Sequence, residues 1–193
     1  MNQLFSSTLL RMASCLLLAS SFFLASCEKD DNIDEQNAEA QRQAILAYKA
    51  AFAADSLTII KYIADSSFKN VERRASGVYI VHKVAGTGTV LAQPGQSLTT
   101  YYKGYTIPAN KLFDASSTNS TTGVRSPFSF TLNVDRVIRG WHEGFASMKK
   151  GEKAILLIPS GLAYGSEGAI SGGVVVIPPD TPLRFDVELA DVK

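Results

Sequence analysis

The histidines, glycines and cysteines of this chain assemble none of the usual catalytic sets. His82 lies in an alternating, strand-like run and His142 sits beside the single tryptophan, and no cysteine or spaced carboxylate set completes a metal site. Both histidines therefore read as structural or solvent-facing. Gly86-Thr87-Gly88 lacks the third glycine of a dinucleotide-binding turn, and Gly165-Ser166-Glu167-Gly168 fails the nucleophile-elbow pattern. What remains is aromatic: Tyr102, Phe113, Phe128, Phe130, Trp141, Tyr164 and Phe185, spread over separate segments with only Phe128 and Phe130 sharing one. Aromatics spread in this way build either an ordinary core or a pocket.

The elements that must position them follow from periodicity. Around Val137 to Phe145, Trp141, Phe145 and Met148 fall at i, i+4 and i+7, which predicts a short helix with one apolar face. Asn133 or Asp135 is expected to cap it, and Lys149, Lys150 and Gly151 to end it. Gly140 and Gly144, one turn apart, are costly inside a helix and imply that another backbone or a ligand comes close. From Gly77 the period is two. Val78, Ile80, His82 and Val84 alternate with Tyr79, Val81 and Lys83, and Ser97 to Tyr105 forms a second strand. Pro127 precedes alternating Phe128, Phe130 and Leu132, and Leu183, Phe185, Val187 and Leu189 alternate with Arg184, Asp186 and Glu188. Glu152 to Ile158 is apolar on both faces, as a strand between two layers would be. The pattern predicts an α+β domain in which a curved antiparallel β-sheet wraps over one short α-helix.

Before that domain the composition changes. Residues 1–26 carry one charge, Arg11, and an apolar run from Met12 to Leu24, the layout of a secretory signal. Leu24-Ala25-Ser26-Cys27 resembles a bacterial lipobox, so Cys27 is expected to become a lipidated first residue; the alternative is ordinary cleavage near Ala25. Cys15 lies in the signal, so the mature chain forms no internal disulfide. Residues 27–37 read as an acidic tether and 38–76 as a helical extension. In the extension Ile45, Tyr48, Lys49 and Phe52 share a stripe, and Asp55-Ser56 caps a second short helix through Leu57, Ile60 and Ala64. Such helices must pack on residues 77–193 or pair two copies as a homodimer. Without residues 1–26 the charge is balanced, which disfavours nucleic acid as a partner.

Taken in order, several motifs carry a resemblance. They are Tyr101-Tyr102-Lys103-Gly104-Tyr105, Lys111-Leu112-Phe113-Asp114-Ala115-Ser116, Pro127-Phe128-Ser129-Phe130, and Val137-Ile138-Arg139-Gly140-Trp141 with Glu143-Gly144. Ala163-Tyr164-Gly165, Ile177-Pro178-Pro179 and Phe185-Asp186-Val187-Glu188-Leu189 complete the series. Across roughly residues 77 to 191 the chain resembles the FKBP family, the peptidyl-prolyl cis-trans isomerases inhibited by macrolides such as tacrolimus. Its nearest likeness is to exported bacterial members with an N-terminal helical extension.

The resemblance implies an FKBP-like fold and rotation of X-Pro bonds in proline-containing unfolded or exported polypeptides, with no cofactor and no metal. It makes Trp141 the floor of a pocket walled by Tyr102, Phe113, Phe128, Val137, Ile138 and Phe185. It places Asp114 at the edge near the isomerising amide, and Tyr164 and the Ile177 main chain, beside Val176, as hydrogen-bond donors to substrate. With a lipidated Cys27 it implies a protein anchored at the outer membrane of the cell envelope, on its periplasmic or outer face. A proline-binding or chaperone module without turnover is the alternative. Three departures bear on substrate preference and macrolide affinity. Arg136 stands where the family often has glutamate, and Arg125 is one residue out of step with the family's arginine near the aspartate. The loop from Ser166 to Val175 is longer than the family's and rich in glycine.

Overall fold

The computed structural model describes residues 31–118 and 122–193. The signal at 1–26, Cys27 and the tether as far as residue 30 lie outside the described residues. The chain divides into two units, Met1–Leu46 and Ala47–Lys193. Among the described residues no helix is long and apolar enough to cross a membrane.

Helix α1 (Asp31–Asp65) is a single helix of 35 residues. It takes in tether residues expected to be solvated, and it replaces the two short helices expected in the extension. Neither glycine nor proline interrupts the span, and its many alanines favour helix throughout. Asp55-Ser56 starts no new helix, because neither side chain caps one. Asp55 bonds to Ser160, and the Ser56 hydroxyl donates to the carbonyl of Phe52 one turn back.

Nine strands follow: β1 (Val71–Arg73), β2 (Tyr79–Val84), β3 (Ser97–Thr106), β4 (Leu112–Ala115), β5 (Phe128–Thr131), β6 (Lys153–Ile158), β7 (Ala169–Ser171), β8 (Val174–Ile177) and β9 (Leu183–Val192). The main sheet has the order β1-β2-β6-β9-β3-β4, antiparallel throughout, with β5 on β3. β1 thus assigns the end of the expected helical extension to the sheet. Along its outer edge β3 pairs first with β5, from Ser97 to Thr100, then with β4, from Lys103 to Tyr105. Register shifts in β3 at Thr99/Thr100 and Gly104/Tyr105 add the local bend a curved sheet needs.

Both faces of the sheet are covered, and this explains the unbroken apolar run of β6. Ala154, Leu156 and Ile158 join Val78, Ile80, Phe185, Val187 and Leu189 against the short helix α2 (Arg139–Phe145). On the other face Ile155 and Leu157, with Tyr79 and Val81, meet Ile59 and Tyr62 from the second half of α1. That half of the extension therefore packs on its own domain.

Trp141, Phe145 and Met148 are buried as one stripe, as their spacing predicts. The expected caps of α2 are not used: Ile138 occupies the N-cap position without a side-chain bond. Instead the Asn133 N–H donates to His142 Nδ1 (2.9 Å), so His142 Nε2 carries the proton, directed at the Asp135 carbonyl (3.2 Å). The Asp135 carboxylate accepts from the Thr131 N–H (2.7 Å). The helix ends at Phe145, short of Lys149-Lys150-Gly151, and Gly151 (φ +81°) turns the chain into β6. Neither a backbone nor a ligand fills the space over Gly140 and Gly144. The side chains of Ile158 and Leu156 do, so that a Cβ there would lie 2.3 and 2.6 Å from them. The Ser166–Val175 segment is likewise no plain loop: it holds a 3-10 turn (Gly165–Glu167) and most of the β7–β8 hairpin, which turns at Gly172 and Gly173.

Candidate active site

Seating α2 this tightly on β6 presents Trp141 to a cavity of about 530 Å³. The indole is 5 % exposed, and rings from four elements meet it edge-on or tilted. Their centroid distances are 5.0 Å for Tyr102 (β3), 5.7 Å for Phe128 (β5), 5.3 Å for Phe185 (β9) and 5.4 Å for Phe145 (α2). Edge-to-face packing of this kind fixes ring orientation as well as burying area. Phe113 (β4) stands perpendicular to Phe185 at 5.6 Å, and Val137 and Ile138 close the side nearest α2. The sequence-derived aromatic set is thus partly core and partly cavity. Phe130 is buried behind Trp141 and does not line the opening.

The polar groups gather at the mouth. The Tyr102 hydroxyl donates to Asp114 Oδ2 (2.8 Å), and the Ala115 N–H donates to Oδ1 (2.8 Å), so the carboxylate is held by a donor on each oxygen. Arg125 is not its partner; it pairs with Glu188 (3.1 Å) and lies over the Tyr101 ring (4.0 Å). Burial pushes the Tyr102 hydroxyl far above its ordinary range, and the bond to Asp114 pushes it further. Burial, then the Asp114 charge, raises the Tyr164 hydroxyl too. Both phenols therefore stay protonated as donors at neutral pH. The indole N–H of Trp141 is buried without a partner among the described residues.

Tyr102, Phe113, Asp114, Phe128, Val137, Ile138, Trp141, Tyr164 and Phe185 all line this one cavity, as the resemblance implied. Val176 and Ile177 do not. Ile177 turns its side chain into the core (1 % exposed), and Val176 packs against the same cluster. Their side chains thus lie outside the cavity lining, whereas the group that the resemblance names at Ile177 is its main-chain N–H. Arg136, singled out above as a departure from the family, also lines it, and Arg139 and Ala163, which complete the wall, were missed. The place of these two beside Gly140 and Tyr164 was the only signal, since neither is a residue type that announces a pocket. A groove of similar volume lies on the opposite face of the sheet, but Lys83, Lys103, Lys153 and Arg184 among its walls give it an ionic character. Volume does not separate the two openings; the aromatic floor around Trp141 does.

Comparison with known proteins agrees with the geometry. Residues 88–190 match the family described as FKBP-type peptidyl-prolyl cis-trans isomerase. The chain is 45% identical over 104 residues to the peptidyl-prolyl cis-trans isomerase FPR2 of Saccharomyces cerevisiae, covering 54% of this chain and 70% of that protein. It is 38% identical over 117 residues to Fkbp12 of Drosophila melanogaster, covering 61% of this chain and 99% of that one. Among solved structures, a peptidyl-prolyl cis-trans isomerase from Pseudomonas syringae matches at a TM-score of 0.59 and 32% identity, over 75% of this chain and 95% of its own. FkpA from Escherichia coli matches at 0.54 and 32%, over 85% and 73%. A family match across more than half the chain, over a sheet and helix of the same fold, places this protein in the FKBP family of peptidyl-prolyl cis-trans isomerases.

Proposed function

We propose that the Trp141 cavity is where the X-Pro bond turns. One observation carries this: an aromatic floor under a mouth that holds two protonated phenols and a fixed carboxylate. Resonance gives the peptide C–N bond its rotation barrier of about 18–20 kcal/mol. The planar, charge-separated amide is the form that water solvates best. A slot that strips that water while holding the proline ring on the indole lowers the relative cost of the twisted amide, and oriented donors add to the effect. Tyr164 donates to a substrate carbonyl, and the main-chain N–H of Ile177 is assigned the same task on the strength of the family resemblance. Asp114, held by Tyr102 and the Ala115 N–H, faces the rotating amide. Every 1.36 kcal/mol removed from the barrier is worth tenfold in rate.

The substrates we propose are proline-containing chains of exported proteins, met by an enzyme anchored in the cell envelope through Cys27. The Leu24-Ala25-Ser26-Cys27 ending and the apolar run before it support that location. We assign FK506-type macrolides to the same cavity, a reading supported by relatives from Neisseria meningitidis that are named FK506-binding proteins.

The test is cis/trans exchange in a short Leu-Pro peptide with the wild-type chain, Tyr164→Phe and Asp114→Ala. Acceleration that drops in both variants while they remain folded supports the assignment. Peptide binding without acceleration would leave a proline-binding chaperone module instead.

A further inference from the structure

Asp55 is a carboxylate that α1 buries almost completely, at 4 % exposure. Its Oδ2 accepts the main-chain N–H of Ser160 at 2.7 Å and the Ser160 hydroxyl at 2.6 Å, across 105 residues of sequence. A buried charge with no cation beside it is costly unless donors satisfy it, and an apolar side chain at this position would pack more cheaply. What the carboxylate holds is therefore informative.

Ser160 opens a 3-10 turn (Ser160–Leu162) whose next residues, Ala163 and Tyr164, both line the Trp141 cavity. The turn continues the same hydrogen-bond chain, with the Ala163 N–H donating to the Ser160 carbonyl at 2.8 Å. Two more contacts grip it. Arg139, in the cavity wall, donates to the Gly161 carbonyl at 2.7 Å. The Tyr48 ring of α1 packs so closely on Gly161 that a Cβ there would meet it at 2.7 Å. Tyr164 itself is 41 % exposed, and among the described residues its hydroxyl makes no hydrogen bond. Its direction is set by the turn that precedes it.

We infer that Asp55 is a positioning residue for Tyr164, acting through Ser160, so that the second half of α1 is part of the isomerase machinery. This rests on Tyr164 being the donor assigned above. Three links join α1 to the cavity: the Asp55 carboxylate, the Ser160 turn and the Tyr164 ring.

A double-mutant cycle in the full chain tests it, with kcat and KM for X-Pro exchange measured alongside urea unfolding. Asp55→Asn keeps an oxygen able to accept both Ser160 donors and is expected to hold kcat/KM within about threefold. Asp55→Ala is expected to lower kcat/KM by about tenfold or more, mainly through kcat, because small misplacements of a catalytic group are expensive. In a Tyr164→Phe background the same Asp55→Ala change should add less than about twofold, the non-additivity of groups acting as one unit. If Asp55→Ala fails to fold, Ser160→Ala, which removes one of the two donors, replaces it in the cycle. Additive losses, or wild-type kcat/KM in folded Asp55→Ala, overturn the inference. A silent Tyr164→Phe instead overturns the assignment of Tyr164, and the two failures are read from different corners of the cycle.

Discussion

Gly140→Ala probes the contact on which the site rests. An added Cβ would stand 2.3 Å from Ile158 Cγ2, 2.9 Å from Cδ1 and 3.0 Å from Cγ1. Carbon atoms are comfortable at about 3.5–4.0 Å, so the nearest methyl must yield by roughly 1.2–1.7 Å. Ile158 has little room to do so. It is fully buried, it pairs with Leu183 in the sheet, and its branched Cβ restricts χ1. Overpacking of this kind costs about 1–3 kcal/mol, whereas replacing glycine with alanine in a helix gains about 1 kcal/mol. The expected net effect is destabilisation of up to about 2 kcal/mol, with a fall in kcat/KM because the next residue is Trp141.

The sign should depend on the partner. Ile158→Ala alone costs about 2–5 kcal/mol, but it removes all three clashing atoms. In that background Gly140→Ala should stabilise by up to about 1 kcal/mol, the helix gain alone. Urea unfolding followed by fluorescence of the single tryptophan, Trp141, reads both legs, with Phe145 and His142 untouched. Shifts equal in the two backgrounds to within about 0.5 kcal/mol would refute the claim that Ile158 excludes a side chain at position 140.

Two further outcomes are expected. Burial raises the Asp55 pKa above its ordinary value near 3.8, so folding takes up a proton and the wild type loses stability as pH rises from about 4 through the raised value. Asp55→Asn removes that slope, so its stability relative to wild type should improve from pH 4 to 7; parallel curves in urea titrations would contradict the burial argument. For the anchor, Cys27→Ser in cells fed labelled palmitate should abolish incorporation and release the protein from membranes, whereas retained label would place the lipid elsewhere and an unlabelled wild type would refute the anchor.

How much could be read beforehand varied with how local the cause was. The inward stripe of Trp141, Phe145 and Met148 and the two-faced burial of β6 were legible, because helix and strand periods translate directly into faces. The cavity set was legible through the order of its motifs, since residue type alone left Tyr102 or Phe185 as ordinary core. Asp55-Ser56 misled because a capping residue looks the same whether its oxygens serve its own backbone or a turn 105 residues away. Asp135 misled for the same reason, its carboxylate accepting from the Thr131 N–H, while Asn133 meets α2 through its main-chain N–H on His142 rather than through its side chain. Gly140 and Gly144 signalled a close approach correctly, but nothing local could name Ile158 and Leu156 as what approaches. Val176 and Ile177 face the core because the β7–β8 hairpin, whose pairing is not visible in a glycine-rich run, turns them there.

The place of β9 has a consequence for how the molecule comes into being. The strand nearest the C-terminus is not at an edge. It lies between β6 and β3, pairs with both along most of its length, and brings Phe185 to the cavity. Leu98 meets Val192 across nearly the whole domain, a contact of high sequence separation and so a slow one to close. A chain emerging in order from its N-terminus thus carries two half-sheets that cannot join until β9 arrives, and the cavity has no wall at Phe185 before then. Removal of Leu183–Val192 would leave two half-sheets with nothing to join them, so the cavity is closed only once β9 is in place.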